Sequence, residues 1–240
     1  FTIINDGNLS KADTEFFHSA VAKILYLAKR IRPDVLTECA YLTRRVQNPT
    51  NNDMKKLKKL ILYIRGTREY CLTLEPDKDF SIEAYIDAAY GVHEDYKSHT
   101  GTIIQIGKST IYASSKKQRI NTKSSTEAEL VGLSDSIGQV IWCQNFLQHQ
   151  GCKNVIFDKP AIVYQDNMST IRLVKNGTST SEKTRHIGIR YFFVKDRVEK
   201  GDIEIKYKRT EDMLADILTK PLQGKLFMGF RDKILNIYKN

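Results

Sequence analysis

The spacing of apolar residues changes from a helical period to a strand period near residue 80, which excludes both an all-helical and an all-β fold. Upstream, Ala20, Ile24, Leu27 and Ala28 recur at helical spacing within residues 13–30. Pro33 opens a second helical segment through Leu36, Ala40 and Leu42 towards Val46, since a first turn tolerates proline. Asn52 is placed to cap a third helix, with Met54, Leu57, Ile61 and Ile64 on its apolar side. Lys55, Lys56, Lys58 and Lys59 line its other faces, either as a solvated surface or as a basic one. A polar stretch at residues 75–80 with Pro76 marks a boundary. Beyond it Ile82, Ala84 and Ile86 alternate with Glu83, Tyr85 and Asp87, the pattern of a half-buried strand.

Two more strands follow, at residues 102–106 and 109–114, joined by a tight turn at Gly107-Lys108. A long helix is expected over residues 125–150, with Leu130, Leu133, Ile137 and Ile141 inward and Gly151 as its stop. Residues 161–165 read as a short strand closing on Asp166, then a helix near 168–175 stopped by Asn176-Gly177, and another over 185–199. Ile203, Ile205 and Tyr207 alternate in a fifth strand, and Thr210 is placed to cap a helix running to Pro221. A last amphipathic segment carries Leu226, Phe227, Phe230 and Ile234. Three antiparallel strands followed by strands that return through helices imply an α/β fold with a mixed five-stranded sheet.

The chain is basic, with a formal net charge of +10 over 240 residues, half of it in residues 1–75. Such a balance points to a polyanionic partner such as nucleic acid, with a basic surface on both halves forming one track for a duplex. Cys39, Cys71, Cys143 and Cys152 show no CxxC spacing, so free thiols in a reducing, intracellular and cytoplasmic setting are expected and a zinc site is not. No apolar run approaches the ~20 residues of a membrane span. No signal-peptide pattern opens the chain, which begins at Phe1 and reads as an excised piece.

Against this charge, Asp87, Glu129, Asp166 and Asp216 stand where strands and helices can aim them at one place. Carboxylates gathered within a few ångströms repel one another unless cations are bound among them. Hard oxygen ligands suit Mg²⁺ or Mn²⁺, and two such ions about 3.5–4 Å apart activate water and stabilise a leaving oxygen of a phosphodiester. On a helical wheel Glu127 and Glu129 flank the same apolar stripe from opposite sides, and spacing leaves the choice between them open.

Five stretches resemble the ribonuclease H region of copia-type LTR retrotransposon Pol polyproteins. They are Tyr85-Ile-Asp-Ala-Ala-Tyr90, Thr122-Lys-Ser-Ser-Thr-Glu-Ala-Glu-Leu130, Tyr164-Gln-Asp-Asn167, Thr184-Arg-His-Ile-Gly-Ile-Arg190 and Met213-Leu-Ala-Asp-Ile-Leu-Thr-Lys-Pro-Leu222. Tyr26-Leu-Ala-Lys-Arg-Ile-Arg-Pro-Asp34 and Tyr63-Ile-Arg-Gly-Thr67 look like the end of the reverse transcriptase that precedes it. The resemblance implies a ribonuclease H-like sheet flanked by helices at residues 77–240, behind a thumb- or connection-like helical remnant at 1–76. It also implies a catalytic and metal-holding set Asp87, Glu129, Asp166 and Asp216, two Mg²⁺ or Mn²⁺ ions, and hydrolysis of the RNA strand of RNA–DNA hybrids during reverse transcription. The partners implied are the hybrid and the rest of the polyprotein, with no membrane, in the cytoplasm or within virus-like particles. The loop at 208–215 lacks the histidine that cellular enzymes of this fold often carry, and the role of His186 is open.

A hybrid is held by its backbone and 2′-hydroxyls. Lys108, Lys116, Lys117, Arg119 and Lys123 occur between Gly107 and Lys123 without an acid among them, and lead into the helix bearing Glu129. They read as phosphate contacts, or as lysines that blunt an exposed strand edge. Lys183, Arg185 and Arg190 offer a second phosphate patch, with His186 between them. Asn167 either contacts a 2′-hydroxyl or caps the following helix. Trp142 reads as a core or domain contact and Tyr90 as a sugar-stacking residue. The rival readings are a DNA-cutting integrase or resolvase-type nuclease of the same fold and a non-catalytic nucleic-acid-binding remnant of a decayed element.

Overall fold

A computed structural model describes residues 4–75, 81–150, 159–176 and 185–237. Helix α1 (Lys11–Arg30) starts on Ser10, whose hydroxyl accepts from the Asp13 amide, and buries Phe17, Val21, Ile24 and Ala28. A 3₁₀ turn at Pro33–Val35 leads into α2 (Leu36–Thr43). Helix α3 (Asn51–Gly66) is capped by Thr50, not Asn52, through a reciprocal capping box with Asp53. Its buried stripe is Met54, Leu57 and Leu60, while Ile61 is exposed.

Strands β1 (Ile82–Ala89), β2 (His99–Ile106) and β3 (Ser109–Lys117) form an antiparallel meander, with Gly107 in the left-handed region (φ 57°) at its second turn. Helix α4 (Ser125–His149) crosses to β4 (Ala161–Gln165). Helices α5 (Met168–Asn176) and α6 (Arg185–Glu199) then lead to β5 (Ile203–Tyr207). The sheet order is β3-β2-β1-β4-β5, with β1–β4 and β4–β5 parallel. This is the mixed five-stranded sheet that the sequence implies, preceded by helices.

The segment after β5 differs from expectation. Residues 210–218 form two short 3₁₀ turns, Thr210–Asp212 and Leu214–Leu218, in place of one helix. Met213 between them is extended (ψ 92°), which breaks the hydrogen-bond ladder. Helix α7 (Gly224–Leu235) closes the described chain.

Strand β1 is buried on both faces rather than one, because each face has its own core. Ile86, Ile104, Val163 and Ile205 meet Leu130, Leu133 and Ile137 of α4 on the first face. On the second, Tyr85 and Ile103 join Phe17, Leu42 and Leu57 of the upstream helices, Met213, Leu214 and Leu218 of the turns, and Phe230 and Ile234 of α7. Each such side chain contributes about 1.5–3 kcal/mol by leaving water. The upstream helices and the last quarter of the chain therefore share one core. Residues 76–80 and Gly151, where the sequence places a boundary and a helix stop, lie outside the described residues, as do Gly177, Cys152 and Lys183. Trp142 is not core: it is 58% exposed and stacked on Phe146.

Candidate metal centre

Alternation along β1 turns Asp87 away from α4, towards the face covered by the 214–218 turn. Asp87 pairs in register with Gly101 of β2. A side chain at Gly101 would lie 2.7 Å from the Ala215 carbonyl and 2.8 Å from Leu218 and Thr219, so its absence lets the turn lie directly on the sheet. That approach delivers Asp216. Asp166 follows the last residue of β4, which runs parallel to β1 and ends beside it. One carboxylate oxygen from each of Asp87, Asp166 and Asp216 lies within 4.8 Å of the other two. Asp87 and Asp216 are buried and Asp166 is half-buried.

Glu129 belongs to the same neighbourhood but stands outside this triad. It enters from the α4 side of the sheet, is buried, and its Oε2 accepts from Gln165 Nε2 at 3.1 Å. Glu127 serves the helix end instead. Its carboxylate accepts from the Lys123 amide at 2.7 Å while its own amide donates to Ser124 Oγ, a helix-capping arrangement. Of the two, Glu129 faces the carboxylates.

The electrostatics are those of crowded acids. Burial, then the charges of Asp87 and Asp166, push Glu129 well above the usual carboxylate range. Burial and Asp87 push Asp216 up to about 7, against the opposing pull of Lys220. Asp166 is raised by burial, and the Thr210 hydroxyl, donating to its Oδ2 at 2.9 Å, resists. The Thr219 hydroxyl donates to Asp87. Lys220 Nζ is 3.0 Å from Asp216 Oδ1 and 3.8 Å from Asp87 Oδ2. Burial alone would lower the Lys220 ammonium, but Asp87 and Asp216 outweigh it and its pKa is raised. Three hard oxygen donors with incomplete charge compensation fit a divalent cation.

Sequence reasoning alone does not single out Gln165, Thr210, Thr219 or Lys220. Gln165 is fully buried and serves both sides of the site: its Nε2 holds Glu129, and its Oε1 accepts from the amides of Asp166 and Asn167 at 3.0 and 3.1 Å. A glutamine ending an otherwise apolar strand, next to a candidate aspartate, is the available signal.

The candidate substrate contacts divide. Lys116, Lys117, Arg119 and Arg190 line one groove of about 280 Å³ between β3, α4 and α6. Within it Lys117 pairs with Asp95 at 2.6 Å, and Arg190 pairs with Asp135. Gln118 ties the end of β3 to the Ala128 carbonyl at 2.8 Å, next to Glu129. Lys123 is exposed at the entry to α4. Lys108 sits at the other end of β3, roughly 30 Å away at ~3.3 Å per residue. Asn167 Oδ1 accepts from the Ser169 and Thr170 amides at 3.0 and 3.1 Å, so it caps α5. The Arg185 and His186 side chains lie outside the described ones.

No protein-family model matches the chain. Over 223 residues, 92% of its length, it is 32% identical to the retrovirus-related Pol polyprotein from transposon RE1 of Arabidopsis thaliana. This relative is similar to the chain over a stretch of a much longer Pol polyprotein. The Pol polyprotein from transposon TNT 1-94 of Nicotiana tabacum is 30% identical over 94% of the chain. The transposon Ty1-JR1 Gag-Pol polyprotein of Saccharomyces cerevisiae is 27% identical over 87%. The chain spans 15%, 16% and 12% of these three relatives. Among solved structures, LC11-RNase H1 in complex with RNA/DNA hybrid aligns over 57% of the chain and 93% of that protein, at TM-score 0.41 and 18% identity. The solution structure of the PFV RNase H domain covers 65% of the chain and 97% of that domain, at TM-score 0.41 and 12% identity. Among the described residues no helix is long and apolar enough to cross a membrane.

Proposed function

We propose that this chain is the ribonuclease H unit of a transposon Pol polyprotein, hydrolysing the RNA strand of RNA–DNA hybrids with two Mg²⁺ or Mn²⁺ ions. The observation that carries this reading is the convergence of Asp87, Asp166 and Asp216 from β1, the end of β4 and the 214–218 turn, with oxygens within 4.8 Å of one another. Asp87, Asp166 and Asp216 would hold the metal, with Glu129 beside them on the α4 side. When bound, the metal would supply an activated water and charge stabilisation for the leaving 3′ oxygen. Gln165 orients Glu129 and the Asp166 backbone, and Thr210 and Thr219 fix the Asp166 and Asp87 carboxylates. Lys116, Lys117, Arg119 and Arg190 would hold backbone phosphates along their groove, with Lys108, Lys123, Asn167, Arg185 and His186 as further contacts. Residues 1–76 would be the thumb- or connection-like end of the polymerase, and the rest of the polyprotein the physiological partner.

The test is cleavage of a labelled RNA–DNA hybrid in Mg²⁺ or Mn²⁺ beside plain duplex DNA and an Asp166→Asn variant. The expected result is cutting of the RNA strand only, abolished by chelator and reduced at least about 100-fold in the variant. Cleavage of duplex DNA instead, or hybrid binding with equal inertness of both proteins, overturns the reading.

A further inference from the structure

Two hydrogen-bonded connections run from the upstream helices to the turn that carries Asp216. The first is direct: Thr37 Oγ1 in α2 donates to the Ile217 carbonyl at 2.6 Å. The second passes through two buried histidines. Arg44 Nη1, at the end of α2, is 2.6 Å from His93 Nδ1. His93 Nε2 is 3.0 Å from His99 Nδ1, and His99 Nε2 is 2.7 Å from Ser115 Oγ. Ser115 Oγ donates to the Leu218 carbonyl at 2.8 Å.

The direction of this chain is fixed at one end. A guanidinium only donates, so His93 Nδ1 accepts and its proton sits on Nε2. That proton is given to His99 Nδ1, which leaves the His99 proton on Nε2, facing Ser115. The serine hydroxyl proton is then directed to Leu218. Each imidazole is neutral and held in one tautomer, because a second ring proton would set donor against donor.

The two carbonyls so engaged, of residues 217 and 218, immediately follow Asp216 and precede Thr219 and Lys220, both of which contact the carboxylates. A 3₁₀ turn leaves its last carbonyls without partners of its own, so these external donors determine where the turn sits. The turn is also seated by packing, since Leu214 and Leu218 share a core with Phe17 and Leu42. Neither Thr37, Arg44 nor the histidines bond the carboxylates themselves in these contacts. They act through the backbone.

We infer that the upstream helical segment is a working part of the carboxylate site, with Thr37 and the Arg44–His93–His99–Ser115 chain as positioning residues that set Asp216 opposite Asp87 and Asp166. The inference rests on the metal-site reading above. Its test uses the whole chain and three variants, Thr37→Val, Thr37→Ser and Arg44→Leu. Mn²⁺ binding is measured by calorimetry and amide exchange by mass spectrometry, at a temperature where circular dichroism shows every variant folded. Thr37→Val and Arg44→Leu are expected to weaken Mn²⁺ binding at least fivefold and to speed exchange at residues 214–220 but not in β4. Thr37→Ser, which keeps the hydroxyl, is expected to restore both. Unchanged Mn²⁺ affinity in folded Thr37→Val and Arg44→Leu overturns the inference, even if their melting temperatures fall. If the wild-type chain binds no Mn²⁺, the metal-site reading fails instead. The exchange at 214–220 then decides alone, and wild-type rates in Thr37→Val and Arg44→Leu overturn the inference.

Discussion

Lys220 places an ammonium beside two of the three clustered carboxylates, which is where a cation is most favoured. It therefore competes with any divalent ion that approaches Asp216. Lys220→Ala is expected to tighten Mn²⁺ binding by roughly 3- to 10-fold in calorimetry, the size of a partly exposed charge interaction. Gln165 offers a contrasting case. Gln165→Leu removes the partner of Glu129 and of two backbone amides at once, leaving buried polar groups unsatisfied. The expected cost is about 2–4 kcal/mol in chemical denaturation, together with reduced hybrid cleavage. At this scale the sequence is legible where a motif carries the residue, as for Asp87, Asp166 and Asp216. The helical wheel leaves the choice between Glu127 and Glu129 open, yet Ser124 three residues before Glu127 marks a helix start, where Glu127 accepts from the Lys123 amide. Lys220 and Thr219 are invisible as site residues because their role depends on a turn folding back over β1.

Among the elements, β2 and the 214–218 turn meet with no room between them. Gly101→Ala inserts a methyl against backbone at 2.7 Å, which cannot rotate away as a flexible side chain can. The turn must lift, and Asp216 with it. The expected outcome is a loss of about 1–3 kcal/mol in stability, measured by denaturant unfolding, and weaker Mn²⁺ binding than wild type. Strands and long helices are readable because their periodicity is local: α4 starts at Ser125 as expected and buries Leu130, Leu133 and Ile137 of the expected stripe. The 210–218 segment is not. Its residues carry helical spacing, but Met213 is drawn into the second-face core and straightens there, which local propensity does not foretell. Thr50 rather than Asn52 starts α3 for a reason that is in plain sight, the threonine–aspartate pair at capping-box spacing.

For the whole molecule, the joined core and the histidine chain make a pH prediction. His93 is pushed down to about 4 by burial and then by the positive charges of Arg44 and Lys117, with Asp95 opposing. His99 is pushed down to about 3 by burial, then by His93 and Arg44. Both lie below the ~6.5 of an unfolded histidine, so the unfolded chain takes up protons first as pH falls. Their contribution to stability is full above about pH 6.5 and declines from there towards pH 4. The melting temperature of the wild type is expected to fall over this window more steeply than that of His99→Gln, and parallel curves would contradict it. The mixed five-stranded sheet is legible from the run of three strands followed by helix-linked ones. The attachment of residues 1–75 to the sheet is not, because it consists of pairs far apart in sequence and leaves no periodic trace.

The bond between Thr37 and Ile217 joins residues 180 positions apart. During synthesis from the N-terminus, helices α1–α3 and the meander emerge long before the acid that must complete the triad. Until residues near 220 have left the ribosome, Asp87 and Asp166 face each other without their third partner, and the apolar faces of α1–α3 have no Leu214 or Leu218 to cover them. Non-local closure of this kind is slow. A nascent copy of this chain accordingly carries an incomplete carboxylate cluster, and two unseated aspartates, until translation has passed the turn that bears Asp216.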